Sequence, residues 1–131
     1  DILASLGRWL SYTVPGIDVV TAPSGDEALK VLGDRRVDLI LSDYVMPGLD
    51  GILLLRQARQ RAPNVPRVLM TAFADEKVAI RAINEGNVER FLRKPLELNV
   101  LSSMVNDLLL ERRRESDGHL RLAGALRRGG T

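Results

Sequence analysis

The chain is 131 residues long, 45% hydrophobic and 27% charged, enough apolar material for one packed domain with a short appendage and too much for a disordered chain. It has no cysteine, which excludes disulfide scaffolds, thiol nucleophiles and thiolate metal sites, and no apolar run near the roughly 18 residues that would span a bilayer. The formal charge of +2 is uneven: residues 111–131 hold six Arg against three acids, hence +3 (six minus three), leaving −1 for residues 1–110 (two minus three).

Ile2, Leu3, Leu6, Trp9 and Leu10 recur at helical spacing, so the chain opens on an amphipathic helix. Pro15-Gly16 ends it, and Ile17–Thr21 is a short β-rich run, predicted as a strand. Ser24-Gly25-Asp26-Glu27 is a helix-start signal, with Ala28, Leu29 and Leu32 on one face and Gly33 as a stop. A second strand is predicted over Val37–Ser42, leading straight into Asp43. After the Pro47-Gly48 turn a helix is predicted over Gly51–Arg61, then a strand over Val68–Thr71 and a helix over 75–85. Val88–Arg93 reads as a short strand before Lys94-Pro95, and the last helix runs from Leu98 to about Arg114. Beyond Ser116 no period is evident, and residues 116–131 are expected to be a basic flexible tail or linker after a domain at 1–115.

Strands alternating with helices at this spacing imply a mainly parallel sheet with helices on both faces. In such sheets chemistry gathers at the carboxyl ends of the strands. Those ends carry Asp43, Thr71 and Lys94: an acid, a hydroxyl and an ammonium group. Each has an ordinary structural role available, as a turn cap, a strand threonine or a surface charge; their equivalent placement is the stronger signal. Together they suit phosphoryl transfer to a carboxylate, in which Asp attacks and the hydroxyl and cation stabilise the phosphoryl oxygens. Mg²⁺ commonly joins such sites through one or two carboxylates, and Asp43 supplies one.

The strings Leu39-Ile40-Leu41-Ser42-Asp43-Tyr44-Val45-Met46-Pro47-Gly48-Leu49-Asp50-Gly51, Leu69-Met70-Thr71-Ala72 and Phe91-Leu92-Arg93-Lys94-Pro95 resemble a bacterial two-component response regulator receiver domain over roughly residues 1–110. The resemblance implies a flavodoxin-like, doubly wound parallel sheet in a three-layer α/β/α arrangement. It makes Asp43 the phosphoacceptor for a sensor histidine kinase, Thr71 the switch hydroxyl, Lys94 its partner cation, Ala72 the small residue beside the site and Phe91 the aromatic switch. It also implies a cis Lys94-Pro95 bond, and Mg²⁺ held by Asp43, the Val45 backbone carbonyl and an acidic pair. Apolar Val45 and Phe73 beside the site imply slow phosphoryl loss. The output expected is a change in the face formed by the last strand and its flanking helices. The domain would then be a cytoplasmic signalling module rather than an enzyme acting on a separate substrate.

Two departures stand out. The segment 85–91 is one residue longer than in the commonest receivers, resembling the variant found in receivers joined to phosphodiesterase or transcriptional-activator domains. The first strand and its acidic pair have no counterpart after Asp1. In the family's strand order, 2-1-3-4-5, that strand is central. Losing three or four of its buried aliphatic side chains would forfeit about 5–12 kcal/mol, against a whole-domain stability of about 5–15 kcal/mol. Either residues ahead of Asp1 complete the fold, or a truncated domain repairs the gap by exchanging elements with a second copy. The alternative function is a degenerate pseudo-receiver that acts by protein interaction or dimerisation without phosphorylation, with Leu108–Leu110 as a candidate dimer surface. A hydrolase with an Asp nucleophile is disfavoured because its usual second acid, two residues on, is here Val45. Direct nucleic-acid binding by Arg112–Arg114 lacks a recognition helix to support it.

Overall fold

The computed structural model describes the backbone of residues 2–46, 48–72 and 76–123 and the side chains of residues 4–46, 48–72 and 76–112. The chain divides into two compact units, one built from residues 22–96 and the other from residues 1–21 with 97–131.

In the first unit, helix α2 (Gly25–Asp34) starts where Ser24 accepts the Glu27 N–H at 3.3 Å, the cap that Ser-Gly-Asp-Glu announces. Strand β1 (Ile40–Asp43) leads to α3 (Gly51–Arg61), and β2 (Arg67–Thr71) to α4 (Glu76–Arg81). A π-helical turn, Ala82–Gly86, continues α4 and is followed by β3 (Arg90–Arg93). The strands form one parallel sheet in the order β1-β2-β3, with Asp43 opposite Met70 and Thr71 opposite Arg93. All five residues of β2 are buried, as expected for the middle strand of a parallel sheet. Ile52 and Leu55 of α3 pack with Leu69, Val78 and Ala82, and Ile40, Tyr44, Val88 and Phe91 close around them. These nine side chains set the sheet and helix at fixed spacing, because cores close-pack and resist small displacements.

The segment expected to be one residue longer opens on the π-turn. The Asn87 N–H reaches back five residues to the Ala82 carbonyl, and Asn87 itself takes the left-handed conformation at φ 48°. A helix given one residue too many accommodates it as a wider turn, and Asn tolerates left-handed φ better than most residues. The helix predicted over 75–85 is therefore an α-helix only as far as Arg81.

Below the turn lies Arg67, 1% exposed at the start of β2. Its guanidinium donates to the carbonyls of Val65 at 2.9 Å, Gly86 at 3.1 Å, and Pro63 and Asn87 at 3.3 Å. Burial pulls its pKa below the ordinary arginine value, with Glu89 opposing and Arg59 reinforcing that shift.

In the second unit, α1 (Ile2–Thr13) and α5 (Leu98–Ala123) are joined through Ser102. The Trp9 indole N–H donates to its Oγ at 2.9 Å, and Thr13 Oγ1 lies 2.8 Å from the same oxygen. Leu10, Val14, Leu101, Val105 and Leu108 are buried.

Four expectations need correction. Ile17–Thr21 forms no strand; a strand needs a hydrogen-bonded neighbour, and among the described residues none runs beside it. Among the described residues the sheet holds three strands. The last helix extends to Ala123 rather than stopping near Arg114, so the expected boundary at residue 116 falls inside it; residues 124–131 lie outside the described residues. Val100, which falls among the regularly spaced apolar positions of the last helix and is on that pattern expected in the core, is 52% exposed. Finally, Leu108 and Leu109 are buried and only Leu110 is exposed, so these three residues do not make a free apolar surface.

Candidate functional site

The parallel ladder brings the predicted residues together. Asp43 is the last residue of β1, Thr71 the last of β2, and Lys94 follows directly after β3. Backbone bonds run on past the strand ends: Tyr44 N–H donates to Met70 O and Lys94 N–H to Thr71 O, both at 2.9 Å. These bonds hold the acid and the cation on either side of the middle strand. Their side chains meet across its end, with Lys94 Nζ 2.5 Å from Asp43 Oδ1. Oδ1 is shut off from solvent and is engaged by the ammonium as an ion pair, without hydrogen-bond geometry. The side chains as a whole are 36% and 41% exposed. A pair this open contributes at most about 1 kcal/mol to stability; its value is positional.

Thr71 is buried at 2% exposure, whereas Ala72 after it is exposed and leaves room beside the strand ends. Val45 is 68% exposed. Phe91 sits half-buried against the core around Ile52 and Leu69 rather than beside the carboxylate. The Lys94–Pro95 bond is cis, as the resemblance implies. Phe73, the other apolar residue expected beside the site, lies outside the described residues.

Gly51 is fixed by close approach. Any side chain there would run into the Asp43 carbonyl, and the Gly51 N–H donates to Tyr44 O at 2.7 Å. The first turn of α3 is thus pressed against the end of β1. Asp50 caps that helix, its Oδ1 accepting the Leu53 N–H at 2.9 Å. Its other oxygen, Oδ2, takes the Arg81 guanidinium at 3.0 Å, and Arg81 Nε donates to Glu85 at 2.8 Å. The Asp50 hydrogen bond is the largest influence raising the Arg81 pKa; partial desolvation opposes it and Glu85 adds to it. Sequence reading did not single out Asp50, Arg81 or Arg67. The Arg81–Glu85 spacing of four on a helix was a legible signal, and so was Asp50 as a cap ahead of an apolar run.

Mg²⁺ requires six oxygens in near-octahedral array. The described residues offer the Asp43 carboxylate, one oxygen of which already faces Lys94, and the Val45 carbonyl. No group of three or more His, Cys, Asp or Glu that could hold a metal occurs among them. This donor set falls short of a magnesium site.

Comparison with known proteins gives one answer. The response regulator receiver domain family matches residues 1–106. The DNA-binding transcriptional regulator NtrC of Klebsiella pneumoniae is 36% identical over 102 residues, covering 76% of this chain but 22% of that protein. Transcriptional regulatory protein AfsQ1 of Streptomyces coelicolor is 36% identical over 107 residues, 82% of this chain and 47% of its own. Among solved structures, the signal receiver domain of an HD domain-containing protein from Pseudomonas fluorescens Pf-5 superposes with TM-score 0.77 at 34% identity, covering 84% of this chain and 86% of that one. A CheY-like receiver from Methanospirillum hungatei shares the fold, with TM-score 0.80 at 24% identity over 87% and 89% of the two chains. A parallel α/β sheet with an acid and a lysine paired across its strand ends, together with these matches, places the chain in the response regulator receiver domain family. It is a receiver domain of the two-component response regulators, with the flavodoxin-like fold. The chain spans about a fifth of the NtrC relative's length. No helix among the described residues is long and apolar enough to cross a membrane.

Proposed function

We propose that this is a cytoplasmic signalling domain in which Asp43 accepts a phosphoryl group from the phosphohistidine of a sensor histidine kinase. The observation that carries this is the Asp43–Lys94 pair across the end of the middle strand. Lys94 occupies Oδ1, which is sealed from solvent, so Oδ2 is the oxygen open to a donor. In the transfer, Oδ2 attacks phosphorus as the donor's P–N bond breaks. The bonding pair returns to the imidazole, which takes up a proton from solvent, and an acyl phosphate remains on Asp43. Lys94 then faces the added negative charge, and Thr71, at the neighbouring strand end, is the hydroxyl suited to a phosphoryl oxygen. The chain modifies itself and acts on no separate substrate. The effect passes to an output or partner through β3, α4 and α5, with Phe91 as the aromatic that follows the change; a homodimer is one form of that output.

The incomplete magnesium donor set favours a second reading, a pseudo-receiver working through protein contacts alone. Phosphoramidate, the simplest P–N donor, separates the two. Treated with it in the presence of Mg²⁺, the protein gains the mass of one phosphoryl group and Asp43→Ala gains none. An unmodified wild-type protein, with and without Mg²⁺, leaves the pseudo-receiver.

A further inference from the structure

We propose that Arg81 is a positioning residue that fixes the end of the loop following Asp43 to the helix following Thr71, and thereby holds the site in its phosphoryl-accepting arrangement. The inference rests on Asp43 phosphorylation for its functional half.

The two oxygens of Asp50 divide their work. Oδ1 caps α3 through the Leu53 N–H, and Oδ2 receives Arg81. Asp50 is in turn held to the end of β1, because its neighbour Gly51 abuts the Asp43 carbonyl and donates to Tyr44 O. A continuous path therefore runs from the backbone of Asp43 through Gly51 and Asp50 to Arg81. Arg81 ends α4, at the junction with the π-turn, and its Nε anchors Glu85 within that turn. The far end of the turn is fixed independently, by Arg67 on the carbonyls of Gly86 and Asn87. The planar fork of a guanidinium can serve two carboxylates in fixed directions at once, which a single ammonium cannot. Asp43 and Thr71 end neighbouring strands, and the Asp50–Arg81 pair adds a directed polar link between α3 and α4, the helices that follow those strands, beside the apolar contacts of Ile52 and Leu55 with Val78 and Ala82. Preorganisation of this kind acts on rate more than on stability.

Asp50→Asn tests this cleanly, since Asn caps a helix as well as Asp does while giving up the charge that Arg81 pairs with. Arg81→Gln removes the same link from the other side, and Glu85→Gln removes only the contact within the turn. Amide exchange over residues 76–88 and phosphoramidate labelling are measured on all three variants and on the double variant Asp50→Asn/Arg81→Gln. We expect Arg81→Gln and Asp50→Asn each to speed exchange and lower the maximal labelling rate about two- to fivefold, with the half-saturating donor concentration unchanged. In labelling the double variant should do no more than Arg81→Gln alone, because the Asp50–Arg81 link is already lost in each single variant, and Glu85→Gln, which removes the other contact of Arg81, should leave labelling intact. Multiplying effects in the double variant, or a Glu85→Gln that matches Arg81→Gln, overturns the proposal. If wild-type protein takes no label, it is phosphoacceptance that has failed. Exchange then decides the rest: faster exchange in Asp50→Asn, with a double variant no faster than Arg81→Gln alone, upholds Arg81 as the tie between loop and helix, and no change in Asp50→Asn or multiplying effects in the double variant refutes it.

Discussion

Replacing Arg67 by Met removes a guanidinium while keeping an unbranched chain of similar reach, and its cost follows from what the guanidinium holds. Arg67 is 1% exposed and donates to four backbone carbonyls, two of them at 2.9 and 3.1 Å and two at 3.3 Å. Only the two shorter bonds are counted, since the longer pair lies outside the favoured range for N–H···O contacts. A buried carbonyl left without its donor costs about 1–3 kcal/mol, so two cost about 2–6 kcal/mol. Met has no charge to desolvate, which offsets part of that loss and brings the expected net destabilisation to about 2–4 kcal/mol. Arg67→Lys should fall between, because one ammonium reaches some of these carbonyls but not both segments. Urea unfolding followed by far-UV circular dichroism measures the change, read at constant m-value. The loss should fall on the Gly86–Asn87 end of the π-turn, visible as faster amide exchange there. Arg67→Met within about 0.5 kcal/mol of wild type, the range of ordinary surface changes, would refute the reasoning.

Gly51→Ala puts two effects in opposition: Ala gains about 1 kcal/mol over Gly in a helix, but its Cβ meets the Asp43 backbone carbonyl. Overpacking of a rigid site costs about 1–3 kcal/mol, so the variant should be destabilised and slower to label with phosphoramidate; a more stable Gly51→Ala contradicts this. Lys94→Gln should shift thermal stability by less than about 1 kcal/mol, because the pair it breaks is half-exposed. The same variant should lower the phosphoramidate labelling rate about a hundredfold, the scale set by removing one stabilising group from a developing charge. Unchanged labelling of Lys94→Gln would remove the lysine from the chemistry.

What the sequence made legible was whatever depends on local pattern. Asp43, Thr71 and Lys94 could be placed together because alternating strands and helices fix which residues end parallel strands, and β1, β2 and β3 end there. The helix at Gly51–Arg61 matched in full, being bounded by a capping Asp50 and closed before Pro63. What stayed hidden depends on partners far along the chain. Ile17–Thr21 has the composition of a strand, but among the described residues no strand runs beside it. The π-turn at Ala82–Gly86 was not foreseen, since a helical apolar pattern does not separate it from an α-helix, and Ala82 packs with Ile52 and Leu55 far along the chain. The link from Arg81 to Asp50 spans 31 positions and leaves no periodic trace. Arg67, beside Pro66 at a strand start, carries no local signal of burial, and only the folded chain shows the four carbonyls converging on it.

The most direct test of the account is the position of the phosphoryl group itself. Wild-type protein treated with phosphoramidate and Mg²⁺, then mapped by tandem mass spectrometry, should carry a single hydroxylamine-labile phosphoryl group on Asp43. A stable adduct elsewhere, on Asp38 or Asp50 for example, or no adduct at all, would contradict it.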